Sequence, residues 1–156
     1  MLKLEVSAHR ERFIHADLAA CEALILDVER SGPLWPGVLG VERLGPDTFR
    51  WRLEPRRTLG TVFRPEYVSR YTATGPGAID FDTVDGNVET QGSWRLTVQG
   101  RGLLVGLRVN SRVEVPLPGF LRRPASLFAR REVASGIDAQ LARIKSILES
   151  PREGER

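Results

Sequence analysis

From Phe49 to Val115 apolar and polar residues alternate in one segment after another. A period of two places successive side chains on opposite faces of a strand, so this stretch predicts strands with one dry and one wet face. Leu2, Leu4 and Val6 alternate with Lys3, Glu5 and Ser7, predicting a first strand that continues toward Phe13 and Ile14. A short one-sided helix follows, with Asp17 as candidate cap and Leu18, Cys21, Leu24, Ile25 and Val28 at helical spacing until Ser31-Gly32-Pro33 ends it. Val38 to Leu44 and Phe49 to Leu53 read as a hairpin closed by Gly45-Pro46-Asp47. Thr61 to Phe63, Tyr67 to Thr74, Ile79 to Val84, Val88 to Val98 and Leu103 to Val115 are the remaining strands, with Arg56 and Arg57 in a turn.

The last strand places Leu103, Val105, Leu107, Val109, Val113 and Val115 on one face, opposite Arg108, Asn110, Arg112 and Glu114. After Pro116-Leu117-Pro118-Gly119, Val133, Ile137, Leu141, Ile144 and Leu148 recur at spacings of three and four, predicting a long helix over 124–149. Gly136 interrupts its good helix formers and costs ~1 kcal/mol relative to alanine, so a bulky neighbour or a close approach is expected there. The fold class is α+β: a curved antiparallel sheet wrapped around a C-terminal helix, an arrangement that encloses an apolar cavity. One domain is expected over 1–149, followed by a charged, frayed tail at 150–156.

Composition adds limits. At 156 residues, 41% hydrophobic and 28% charged, the chain has enough material for one core without metals or disulfides. No apolar run approaches the ~18 residues of a membrane span, and Glu5 interrupts any signal-like start, so a cytoplasmic protein is expected. Cys21 is the single cysteine and reads as a small packed side chain. The formal charge of +3 is spread widely, apart from Arg122, Arg123, Arg130 and Arg131 around the start of the last helix, where Phe120, Leu121, Leu127 and Phe128 are interleaved. That cluster makes an anionic membrane surface a candidate transient partner. Nucleic acid is not expected, because the aromatics fall inside the strands and not along a basic groove.

Candidate chemistry is sparse. His9 and His15 are the only histidines and have no metal-site spacing; no metal and no cofactor are expected. Asp80 and Asp82 share a strand face and read as solvated sheet surface. Phe49, Trp51, Phe63, Tyr67, Tyr71, Phe81 and Trp94 fall in strands, most on the apolar parity, whereas Arg52, Arg70, Arg95 and Arg112 are predicted to face outward. The expected ligand-binding set is Trp35, Trp51, Phe63, Tyr67, Tyr71, Phe81, Trp94, Phe120, Phe128 and Ile137, with no catalytic residue assigned. Entry is expected near Trp35-Pro36 and the Pro116–Phe120 connection.

Asp27-Val28-Glu29-Arg30 followed by Leu34-Trp35-Pro36-Gly37-Val38, Gly92-Ser93-Trp94, and Pro116-Leu117-Pro118-Gly119-Phe120-Leu121 before the last helix are short strings with a recognisable pattern. Together with the element order they resemble the START-like or SRPBCC superfamily, in particular polyketide cyclase/dehydrase and coenzyme Q-binding-like members. The resemblance implies the helix-grip fold and the binding, with or without transport, of a hydrophobic small molecule such as a lipid, an isoprenoid quinone or an aromatic polyketide. It also implies an alternative, a cyclase or dehydratase acting on a polyketide-like substrate. No catalytic residue set of such enzymes maps onto this sequence, so a ligand-binding protein is the first reading and an enzyme the second.

Overall fold

The structure is a computed structural model that describes residues 2–58 and 60–150. Strand β1 (Leu2–Ile14) leads into α1 (Leu18–Leu26), α2 (Val28–Ser31) and a 3₁₀ turn at Gly32–Leu34. Then come β2 (Val38–Arg43), β3 (Thr48–Leu53), β4 (Arg56–Thr58), β5 (Thr61–Phe63), β6 (Glu66–Gly75), β7 (Ala78–Gly86), β8 (Glu89–Gln99) and β9 (Gly102–Val115). A second 3₁₀ turn, Gly119–Leu121, opens α3 (Arg122–Glu149). Of the expected tail only Ser150 lies within the described residues.

Seven strands form one antiparallel sheet in the order β1-β9-β8-β7-β6-β3-β2. The first and last strands pair from end to end, Leu2 with Val115 through Ile14 with Leu103. Both place their apolar residues on the concave face, so Leu2, Leu4, Val6, Leu103, Val105, Leu107 and Val109 are buried. Helix α3 lies along β1, to which Lys145 Nζ donates at the Phe13 carbonyl (3.1 Å) while Glu149 accepts from the His15 amide (2.9 Å). The sheet is curled and gripped by its closing helix, as the sequence pattern predicts.

Three details depart from the pattern. The first helix is two: Asp27 leaves the helical region (φ −81°, ψ 72°), its amide closing α1 on the Ala23 carbonyl while its own carbonyl starts α2. Apolar spacing alone misses the break because Leu24, Ile25 and Val28 are buried on both sides of it. Arg56 and Arg57 form β4 instead of a turn, pairing with Phe63 and Val62 of β5 in a separate two-stranded hairpin. Exposed arginines in a three-residue strand carry no alternation to read. Helix α3 begins at Arg122, so Pro124 sits in its first turn, where a missing amide hydrogen costs nothing.

Two core clusters result. Under α1 and the C-terminal half of α3, Cys21, Leu24, Ile25, Trp94, Leu107, Ile137, Leu141 and Ile144 pack together. Against α2, Val28, Phe49, Trp51 and Tyr67 form a second group. Between β7 and β8 pairing stops at Phe81 with Gly92. Beyond it the Thr83 hydroxyl bridges the gap, donating to the Thr90 carbonyl (2.7 Å) and accepting from the Thr90 amide (2.8 Å).

Candidate functional site

Between the concave face and the N-terminal half of α3 lies a cavity of about 750 Å³. Both core clusters contribute to its wall, Trp94, Leu107 and Val109 from one and Trp51 and Tyr67 from the other. Helix α3 supplies Pro124, Ala125, Ala129, Val133 and Gly136, which present small groups facing the aromatics of the sheet, and the larger Phe128.

The aromatic floor is ordered by mutual contact. Trp51 and Tyr67 stack with centroids 5.7 Å apart and an interplanar angle of 8°. Tyr71 stacks on Phe81 at 5.4 Å and makes a T-shaped contact with Phe49 at 5.7 Å. Gly92 makes room for this layer, since a Cβ there would stand 2.6 Å from Phe81 Cζ. Trp51 Nε1 donates to the buried Ser69 hydroxyl (2.8 Å), which satisfies the indole hydrogen in a dry setting.

Polar atoms in this floor are few and neutral. Burial pushes the Tyr67 hydroxyl above its ordinary value of 10.0, partly offset by a hydrogen bond with the Thr90 side chain. Burial also raises the Tyr71 hydroxyl well above 10.0, and the adjacent Tyr67 adds to the shift. Among the described residues the only sealed, unpartnered side-chain atom is Asn110 Oδ1. Tyr71 lines the cavity together with Tyr67, Ser69 and Thr90. Both tyrosines are held as neutral donors.

Charge is confined to the rim. The exposed lining residues Glu54, Arg56, Arg57, Pro124 and Phe128 mark the mouth. There Arg56 of β4 pairs with Glu132 of α3, tying the small hairpin to the closing helix.

Searches of protein-family models and of curated proteins find no match to this sequence. Solved structures do match along nearly the whole chain. TTHA0849 of Thermus thermophilus is 22% identical with a TM-score of 0.66, covering 94% of this chain and 99% of that one. A START superfamily protein of Mycobacterium smegmatis is 15% identical with a TM-score of 0.68, covering 93% and 97%. The Zhui aromatase/cyclase of Streptomyces sp. R1128 is 14% identical with a TM-score of 0.61, covering 94% and 97%. This chain has the START-like fold.

Within this START-like fold, Trp35, Trp51, Phe63, Tyr67, Tyr71, Phe81, Trp94 and Phe128 all line the cavity. Phe120 does not: it is 82% exposed on the 3₁₀ turn outside the mouth. Ile137 does not either, being fully buried in the core cluster beside Leu141 and Ile144, one helical step away from the lining residue Gly136. Trp35-Pro36 and Pro116-Leu117 border the cavity, whereas Pro118, Gly119 and Phe120 of the same connection are not in its lining. Sequence reasoning missed Ser69, Thr90, Arg56 and Glu132. Parity on β6 points Ser69 inward between Tyr67 and Tyr71 and was a usable signal; nothing local indicates the Arg56–Glu132 pair.

The bland expectations also have places. Arg52, Arg70, Arg95 and Arg112 are exposed, and Arg95 pairs with Asp80 at 2.8 Å. His9 lies 3.7 Å from Glu11, and His15 makes an edge contact with Phe13; neither lines the cavity. Among the described residues no group of three or more potential metal ligands converges. Burial pushes the Cys21 thiol up to about 12, with Glu22 adding to the shift, so it is an inert packed side chain.

Proposed function

We propose that this protein binds a hydrophobic small molecule in the cavity between sheet and α3, and carries it without transforming it. The observation that supports this is the lining itself: about 750 Å³ walled by aromatic and aliphatic groups, with neutral hydroxyls at the floor and charges only at the mouth. That volume lies within the ~300–1,000 Å³ of small-molecule sites. A carboxylate deep in the cavity would lose its hydration with no cation to meet it, so the buried end of the ligand is neutral. Tyr71 and Tyr67, fixed as donors, suit an acceptor such as a carbonyl or ether oxygen on a planar or isoprenoid body. Lipids, isoprenoid quinones and aromatic polyketides contain such groups. Handling takes place in the cytoplasm on this reading.

Native mass spectrometry of the freshly purified protein, followed by organic extraction, tests the reading. An adduct that is released as a neutral apolar compound is the expected result. Tyr71→Phe keeps the ring stack and removes one donor, so it lowers affinity for that compound about fivefold while leaving the fold intact. Failure of every extracted or supplied apolar compound to bind would overturn the proposal.

A second reading, a cyclase or dehydratase acting on a polyketide-like substrate, is favoured by the adjacent Tyr67 and Tyr71 hydroxyls in a water-poor cavity. Burial holds the protons of both, so their role there would be to hydrogen-bond and orient the substrate. The aromatase/cyclase likeness is one of fold at 14% identity. Product analysis with a poly-β-ketone substrate separates the readings: unchanged recovery supports the carrier, and Tyr71-dependent cyclisation the enzyme.

A further inference from the structure

The outer side of the cavity mouth carries the largest exposed apolar side chains near the site, and of these only Phe128 also lines the cavity. Phe120 is 82% exposed, Phe128 63% and Leu127 48%. They stand on the 3₁₀ turn and first half of α3, where Gly119 to Arg131 contains four arginines and no acidic residue. Arg123, Leu127, Arg130 and Arg131 are spaced by three and four and so share one helical face. Among the described residues none of the four arginines is in an ion pair; Arg122 alone is occupied, donating to the Lys3 carbonyl at 2.9 Å. Exposed aromatics of this kind lose free energy in water unless something apolar covers them, and unpaired arginines around them select an anionic cover.

We propose that this face docks on an anionic lipid bilayer, with Phe120 and Leu127 entering the headgroup boundary and Arg123, Arg130 and Arg131 facing lipid phosphates. Phe128 links the two features, since it is both exposed on the patch and part of the cavity lining. Docking therefore sets the mouth, bordered by Leu117, Leu121 and Phe128, directly against the acyl region. An apolar ligand then passes between bilayer and cavity without crossing bulk water. This inference names the partner of the site proposed above and rests on that reading for its purpose, though not for its test.

Flotation of the full chain, without added ligand, on vesicles of phosphatidylcholine alone and of phosphatidylcholine with phosphatidylglycerol reads docking separately from cavity binding. Binding is expected only to the anionic vesicles and is expected to fall as salt rises. Arg123→Ala, Arg130→Ala and Arg131→Ala each lower the partition coefficient about fivefold. Phe120→Ser and Leu127→Ser, at positions outside the cavity lining, lower it about tenfold. Absence of binding to the anionic vesicles, or binding indifferent to these substitutions, would overturn the proposal. So would a dimer in sedimentation that Phe120→Ser converts to monomer, because the patch would then be covered by a second copy of this chain.

Discussion

The Trp35 indole lies over the backbone of Gly136, so close that a Cβ on residue 136 would stand 2.6 Å from Trp35 Cε2. The same face of α3 holds the segment that carries Trp35: Gln140 Nε2 donates to the Ser31 carbonyl (3.1 Å) and Arg143 to the Leu34 carbonyl (2.8 Å). Positions 136, 140 and 143 are one helical stripe, and together they fix one wall of the cavity. In an open helix Gly136→Ala would gain ~1 kcal/mol of propensity, but here the methyl drives the ring aside at a cost of ~1–3 kcal/mol. Urea denaturation should show Gly136→Ala destabilised by about 1 kcal/mol. The same change in a Trp35→Ala background should be stabilising, and an unchanged sign would remove the packing argument.

Ser69 has a structural duty under the aromatic floor. It is 1% exposed and accepts the Trp51 indole hydrogen at 2.8 Å. Ser69→Ala leaves that donor unpaired in a dry place and should cost ~1–2 kcal/mol, measured by chemical denaturation. Trp51→Phe in the Ser69→Ala background removes the orphaned donor and should recover part of the loss.

The Arg56–Glu132 pair is solvent-exposed, so its effect on global stability is small. Glu132→Gln should change unfolding free energy by less than ~0.5 kcal/mol. Its consequence is local: among the described residues the β4–β5 hairpin pairs with no strand of the main sheet and has this tie to α3. Amide exchange across β4 and β5 should accelerate in Glu132→Gln while exchange in β9 stays as it was. Equal exchange in both proteins would show the hairpin to be held by other contacts.

Alkaline pH should weaken the fold through groups that keep their protons only when folded. Burial raises Cys21 from 9.0 to about 12 and raises Tyr67 and Tyr71 above 10.0. The unfolded chain releases the thiol proton from about pH 9 and the phenolic protons from about pH 10, while the folded chain retains them. Stability is therefore full below pH 9 and falls as pH rises toward the folded-state values, by up to ~1.4 kcal/mol per pH unit for each group in its window. Urea titrations from pH 8 to 11 should show this fall, and Cys21→Ala should flatten its first part. A wild-type profile independent of pH would mean that these groups titrate normally.

Much of the fold was legible because strand alternation and helical spacing are local. The β1 alternation, the run Leu103 to Val115 and the stripe Val133 to Leu148 each identify a buried face without knowledge of what covers it. For the same reason parity correctly sends Trp51, Tyr67, Tyr71, Phe81 and Trp94 inward. Parity does not distinguish a packed interior from a lined cavity, because both bury the same face. Phe120 and Phe128 belong to one short stretch of sequence, yet one stands clear of the mouth and the other borders it, since the 3₁₀ turn sets a different direction from the helix after it.

The sequence by itself determined the strands, the closing helix and the apolar side of each. Only the tertiary structure decided that Ile137 packs in the core while Gly136, turned by about 100°, faces the cavity beneath Trp35. It likewise decided that Arg56 meets Glu132 and that Tyr71 lines the cavity. Periodicity is a property of neighbouring residues, whereas a cavity is the volume left between elements that are distant in sequence. Its shape follows from sheet curvature and helix placement, which no local pattern encodes.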